Sequence, residues 1–217
     1  MQELRSWIDK LYESPEMLTM GHGQSKEDSN LGLGWLYYAF ARIQRPQTAV
    51  VIGSLRGFVP MTIARGMSDN GQSGRVIFID PSLVDDHWKH PDKVKRYFHK
   101  YGVDNIRHHC ATTQEFVNTE SYQQLQAIEL LFVDGYHSSV QAQFDHEAFE
   151  PLLTNDAIVM FHDTANTRRS KMYGDDNIYD CDVYRYIDVL KRRGDLDVFD
   201  VPLSDGITLV RKRIGVR

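Results

Sequence analysis

The chain is poor in the features that cross membranes, grip a nucleic-acid backbone or cross-link a fold. Its 217 residues include only two cysteines, Cys110 and Cys181, whose spacing offers neither a disulfide framework nor a zinc site. No apolar run approaches the length that spans a bilayer. The N-terminus lacks the basic and apolar regions of a signal peptide, so the cytoplasm is the expected location. There are 25 Lys and Arg against 30 Asp and Glu, a formal net charge of −5, which leaves no basic footprint for nucleic acid. The run Lys191-Arg192-Arg193 reads as the solvated end of a helix. No internal repeat or low-complexity tract is present. What remains, 41% hydrophobic and 25% charged residues, is the composition of a globular chain long enough for one full core.

The organising stretch is 48–64. Ala49-Val50-Val51-Ile52 is a short β-branched run of the kind buried on both faces of a sheet. Gly53 and Gly57 bracket a tight loop, and a helix starts near Val59. Strand, glycine loop and helix open a nucleotide-binding α/β unit, in which the backbone turns sharply and free helix N–H groups face a ligand. A second apolar strand, Ile77-Phe78-Ile79, ends in Asp80, roughly 20–30 positions further on. Such folds place there a carboxylate for ribose hydroxyls. A turn before Pro81 is the plainer role for that residue.

Taken in order, residues 1–12 carry Leu4, Trp7, Ile8 and Leu11 at helical spacing. That helix either makes a dimer contact or packs on its own sheet. Residues 13–30, with Met17, Met20 and Gly21-His22-Gly23, form a long loop suited to folding over a ligand or to connecting elements. We therefore set residues 1–30 apart as a cap or dimer contact and 31–217 as the main domain. Helices are expected at 31–43, 92–101, 115–125, 138–153 and 183–193. The helix at 138–153 is expected to bury Val140, Phe144, Ala148 and Leu152, with Ser138 as its cap. Strands are expected near 106–110, at 128–133 and at 157–161, with a closing antiparallel pair at 197–201 and 206–211. This alternation predicts an α/β, Rossmann-like, doubly wound and mostly parallel seven-stranded sheet. Helices cover both faces, and an antiparallel strand lies near one edge.

Ligands of such sheets sit at the carboxyl ends of the strands. There the chain places Asp80, Thr112 and Thr113, Asp134 with His137 one turn on, and His162-Asp163. Neighbouring strands are about 5 Å apart, so carboxylates ending strands four and five can converge on one ion. Oxygen ligands suit Mg²⁺, Ca²⁺ or Mn²⁺, and the imidazole of His162 shifts the choice towards Mn²⁺ or a later metal. Ordinary roles stay open for each: a turn for Asp134, a core histidine for His162, a loop brace for Asp163 and a helix-start contact for His137.

Three segments carry a resemblance: Val51-Ile52-Gly53-Ser54-Leu55-Arg56-Gly57, Leu131-Phe132-Val133-Asp134-Gly135-Tyr136-His137-Ser138 and Ile158-Val159-Met160-Phe161-His162-Asp163-Thr164. The chain resembles the class I S-adenosylmethionine-dependent methyltransferases over about 31–211. It is most similar to the small bacterial group related to cephalosporin-pathway and macrolide-sugar O-methyltransferases. The resemblance implies S-adenosyl-L-methionine as cofactor, bound by Gly53, Ser54 and Gly57, by Asp80 and Pro81 at the ribose, by Thr112 and Thr113 near the adenine, and by Asp134. It implies a divalent metal, Mg²⁺ or Mn²⁺, on Asp134, His162 and Asp163. Asp134, His137 and His162 are then the catalytic residues, with His137 as the base. Val51 stands where the family carries an acid. A small-molecule acceptor is the expected partner, and Arg168, Arg169, Lys171 and Tyr173 either meet an anionic or sugar-like substrate or form a solvated charged loop. Two rivals remain: a non-catalytic sensor domain, supported by Val51, and an aminopropyl transferase, supported by the acids Asp175, Asp176, Asp180 and Asp182. No Asn-Pro-Pro-Tyr-like segment points to nucleic-acid methylation.

Overall fold

The computed structural model describes residues 2–71, 73–165 and 167–213. Met1 and residues 214–217, which fall within the expected first helix and main domain, lie outside them. The seven-stranded sheet comprises β1 (Thr48–Ile52), β2 (Arg75–Ile79), β3 (Ile106–His109), β4 (Ile128–Val133), β5 (Leu153–His162), β8 (Leu196–Val201) and β9 (Ile207–Lys212). Two residues each of β6 (Arg169–Ser170) and β7 (Tyr179–Asp180) pair separately. The strand order is β3-β2-β1-β4-β5-β9-β8. All neighbours are parallel except β9, which runs antiparallel to both β5 and β8. The order reverses between β1 and β4, and that is where a doubly wound sheet opens a ligand crevice.

Side chains of a strand alternate between faces, and here both faces are covered. Ala49, Val51, Val76, Phe78, Leu130 and Phe132 join one core cluster. Val50, Ile52, Ile77, Ile79, Leu131 and Val133 join the other. The first cluster is closed by α1 (Gln2–Leu11), α2 (Gly34–Gln44), α3 (Phe58–Ser68) and α4 (Pro91–Lys100). Within it Trp7, Ile8 and Leu11 of α1 are buried, and Trp7 Nε1 donates to the Tyr101 carbonyl at 2.8 Å. This apolar face of α1 therefore packs on its own domain. The second cluster is covered by α7 (Ser139–Phe149) and α8 (Val183–Lys191).

Two expectations are corrected. The helix expected at 115–125 is two single turns, α5 (Thr113–Phe116) and α6 (Glu120–Gln123). Thr112 caps the first in a reciprocal box with Glu115, and the Thr119 hydroxyl accepts from Tyr122 N to start the second. Such side-chain oxygens favour helix starts over helix interiors. The face expected on the helix at 138–153 holds for Ala148 and Leu152, which pack on the second cluster, but not for its first half. Val140 is 77% exposed and Phe144 37%, while Ala142, Asp145, His146 and Phe149 face inwards. Apolar periodicity misjudged the helix because part of its inner face borders a polar pocket.

Register positions the site. Ile52 pairs with both Ile79 and Val133, and Val133 pairs with Phe161. The next residues, Gly53, Asp80, Asp134 and His162, therefore stand abreast at the strand ends. Gly53 N donates to the Ile79 carbonyl at 2.8 Å, and Asp134 N to the Ile52 carbonyl at 2.9 Å. Gly53 has φ +74°, and a Cβ there would lie 2.1 Å from the Asp134 carbonyl oxygen. Gly53→Ala is predicted to cost more than the roughly 1–2 kcal/mol of a left-handed alanine alone, read as a lower urea midpoint. A loss within that range would show that β1 and β4 can part without penalty.

Candidate active site

A cavity of about 300 Å³ opens at the carboxyl ends of the parallel strands, a size suited to a small-molecule site. Gly53, Ser54, Asp80, Pro81, Thr112, Thr113, Asp134, His137, His162 and Asp163 all line it. Gly57 does not line it. It sits behind the wall, against the rings of Trp88 and Phe98. Val51 is fully buried in the first core cluster.

At the β2 end the two Asp80 oxygens accept from backbone amides, Oδ2 from Ser54 N at 3.1 Å and Oδ1 from Ser82 N at 2.8 Å. Burial raises the Asp80 pKa, and these two amides offset part of the rise. A carboxylate has about four acceptor sites, so Asp80 is oriented with capacity to spare for hydroxyl donors. Next to it Thr112 is committed to its capping box. Thr113 is buried and hydrogen-bonds Asp145. Asp145 also accepts from Gln141 Nε2 at 2.7 Å, and burial pushes its pKa up to about 6. Asp145 is not legible in the sequence because the inner face of α7 at this point borders a polar cavity and not the apolar core.

The β4 and β5 ends form a dense ionisable cluster. His162 Nδ1 lies 3.1 Å from Asp134 Oδ1 and 3.6 Å from Asp163 Oδ1. His137 Nδ1 lies 2.6 Å from Asp163 Oδ2 and 3.6 Å from Asp134 Oδ1. His137 and Asp163 both have positive φ, +29° and +58°, a strained conformation that clusters at functional sites. The turn bearing His137 is braced by Asp182, whose Oδ1 accepts from Ser139 N at 2.6 Å and whose N donates to the His137 carbonyl.

Burial alone would lower both histidines, yet the facing carboxylates outweigh it. Asp134 and Asp163 raise His162 to about 9, and the hydrogen bond to Asp163 with the Asp134 charge raises His137. Burial opposes ionisation of Asp163, but His137 and His162 hold it well below the usual carboxylate range. Without a metal the cluster thus balances carboxylates with imidazolium protons.

The segment 13–30 contributes a residue the sequence did not single out. His22 is buried, its ring centroid 4.2 Å from that of His162 and stacked on Phe58 at 5.2 Å. Its Nδ1 lies 3.0 Å from Tyr37 Oη. Only a lone histidine in a glycine-containing loop marked it beforehand. Among the described residues two groups can each offer ligand atoms within 4.8 Å of one another: His22, Asp134 and His162, and Asp134, His137 and Asp163.

The segment after β5 closes the other side. Arg168, Met172 and Tyr173 line the cavity, and Tyr173 stacks on Tyr136 at 5.1 Å. Arg169 and Lys171 are turned to surface pairs with Asp180 and Asp175. None of Asp175, Asp176, Asp180 and Asp182 lines the cavity, so the acidic pocket required by a polyamine reading is not assembled by them. Among the described residues no helix is long and apolar enough to cross a membrane.

Fold and cavity together define an α/β protein whose pocket opens at the strand ends. A family model described as a methyltransferase domain matches residues 50–164, just over half of the chain, and the chain belongs to that family. No curated protein matches. Among solved structures, an O-methyltransferase from Bacillus cereus in complex with SAH is similar with a TM-score of 0.66 at 14% identity, over 96% of this chain and 91% of that one. The O-methyltransferase TomG from Streptomyces achromogenes, involved in tomaymycin synthesis and in complex with SAM, gives 0.62 at 15%, over 97% and 88%. A methyltransferase from Geobacter sulfurreducens gives 0.58 at 20%, over 82% and 77%. At these identities the likeness is one of fold, the Rossmann-like fold of class I methyltransferases.

The cluster makes metal-free stability depend on pH. His162 is raised, so its contribution is complete below about 6.5 and is lost as pH rises through about 9. Asp163 is lowered, so its contribution is present above about 3.9 and is lost as pH falls below that. Chelator-treated protein is predicted to lose thermal midpoint from pH 6.5 to 9, and His162→Gln to flatten that slope. An unchanged slope in the variant would refute the charge assignment.

Proposed function

We propose that the chain is a cytoplasmic S-adenosylmethionine-dependent O-methyltransferase. It acts on a small hydroxylated metabolite or sugar with the help of a divalent ion. The observation that carries this reading is the register that sets Asp80 and the Asp134–Asp163 cluster on either side of the Gly53 turn, two strand spacings or roughly 10 Å apart. A nucleoside held by Asp80 directs its substituent towards the cluster. The family membership and the fold shared with proteins bound to SAH and SAM support the same cofactor.

In this reading Asp80 accepts from the ribose hydroxyls, Thr112 and Thr113 border the base, and the Gly53-Ser54 backbone approaches the methionine portion. Val51 faces the core, so the donor's amino group is left to cavity oxygens such as those of Asp134. The cofactor supplies an electrophilic methyl group for in-line displacement. Holding the acceptor oxygen in line with it is worth on the order of 7–11 kcal/mol.

The cluster also fits a divalent ion. His162 Nε2 and Asp163 Oδ1 are buried without hydrogen-bond partners among the described residues, and two carboxylates with imidazole nitrogen form a credible donor set. Asp134, His162 and Asp163 would hold the ion, which would lower the pKa of a bound hydroxyl. With that ion bound, His137 would no longer be needed to balance the carboxylates with a proton and would be free to accept the acceptor's proton. The loops 13–30 and 165–176 cover the acceptor side.

The test is transfer of labelled methyl from S-adenosylmethionine to a panel of hydroxylated small molecules. Metal-dependent labelling is expected, lost in Asp134→Asn and in Asp163→Asn; full activity in both variants would refute the metal role. Asp80→Asn is predicted to weaken S-adenosylhomocysteine binding about 10–100-fold, the value of one charge-assisted hydrogen bond; unchanged affinity would remove Asp80 from the ribose. A non-catalytic sensor is the second reading, favoured by Val51 alone, and it predicts binding with no transfer to any acceptor.

A further inference from the structure

We propose that His22 is itself a metal ligand. With His162 and Asp134, two of the three ligands proposed above, it forms a two-histidine, one-carboxylate face of the site, which therefore takes a first-row transition ion (Mn²⁺, Fe²⁺, Co²⁺ or Zn²⁺) in preference to Mg²⁺. This inference rests on the metal half of the proposed function and does not require methyl transfer. The three residues offer ligand atoms within 4.8 Å of one another. His22 comes from outside residues 50–164, the part matched by the family model, so it is a feature of this chain's leading segment.

The fold goes to some length to put the ring there. Gly32 has φ +56°, and a Cβ on it would lie 2.2 Å from the His22 carbonyl oxygen and 2.5 Å from that of Gly23. The chain crossing that delivers His22 is therefore possible only with glycine at that position. Leu33 N donates to the His22 carbonyl at 2.7 Å and fixes the backbone. The ring is then held by stacking on Phe58 and by Tyr37 Oη at Nδ1. A hydrogen bond at one ring nitrogen is how a metal-binding histidine is oriented to offer the other. The facing His162 is 4% exposed, and its Nδ1 stands 3.1 Å from Asp134 Oδ1, a separation that lets the two atoms bind one ion side by side. Imidazole nitrogen favours later first-row ions, whereas Mg²⁺ prefers six oxygen ligands and retains its water. With Asp163 as the fourth ligand, six-coordination still leaves open positions for substrate oxygen.

The test uses the full chain, stripped with chelator and reloaded with Co²⁺ or Mn²⁺. Affinities for Co²⁺ and Mg²⁺ are measured by competition, and imidazole nitrogens on Mn²⁺ are counted by pulsed electron paramagnetic resonance. The wild type is expected to prefer Co²⁺ and to show nitrogen couplings from at least two histidines. His22→Gln should lose one coupling and about 100-fold in Co²⁺ affinity, with Mg²⁺ affinity unchanged; Tyr37→Phe should lose about 10-fold. A His22→Gln variant with wild-type couplings and Co²⁺ affinity would overturn the assignment. So would a wild-type spectrum with a single histidine nitrogen, which is decisive even if the variant does not fold. Protein that binds S-adenosylhomocysteine but no metal would overturn both this inference and the metal role while leaving the methyl-donor reading intact.

Discussion

Two carboxylates and two imidazoles, Asp134, Asp163, His137 and His162, are packed into one buried cluster, with His22 pressed against it. Removing such groups from water is costly, and apolar residues of similar volume would usually be at least as stabilising. The cluster is tolerable because its charges balance and because the ends of β4 and β5 lie one strand spacing apart. Its geometry follows from the parallel register, which sets Asp134 and His162 level with the Gly53 turn. Perturbed ionisable groups at the floor of a cleft are a physical signature of a functional site.

The two segments that cover the cavity are tied to each other and to the sheet. The Ser204 hydroxyl donates to the Gly21 carbonyl at 2.7 Å, joining the β8–β9 turn to the leading segment. Arg168 Nη1 stands 3.7 Å from Asp205. Tyr136, directly after the β4 end, stacks with Tyr173 and Tyr179. The part of the chain with least regular structure is therefore anchored to the most regular part at the place where chemistry is proposed.

Much of this was legible before the fold was known. β1, β2, β4 and β5 announced themselves as short β-branched or apolar runs. A parallel sheet presents ligands at strand ends, so Asp80, Asp134, His162 and Asp163 could be named from position alone. Residues whose placement depends on distant contacts were not legible. His22 reaches the cluster only through the Gly32 crossing, the Phe58 stack and Tyr37. Asp145 was hidden because the inner face of α7 borders a polar cavity, which reverses the usual rule that the apolar stripe points inwards. The break between α5 and α6 turned on Thr119 acting as a cap, a local choice that the periodicity of 115–125 does not reveal.

The central claim is that the cavity between Asp80 and the ionisable cluster holds the methyl donor. Calorimetric titration of the purified chain with S-adenosylhomocysteine, after removal of bound metal, tests it most directly. The account predicts one site per chain with micromolar affinity, present with or without added Mn²⁺. No heat of binding and no thermal stabilisation under either condition would contradict it.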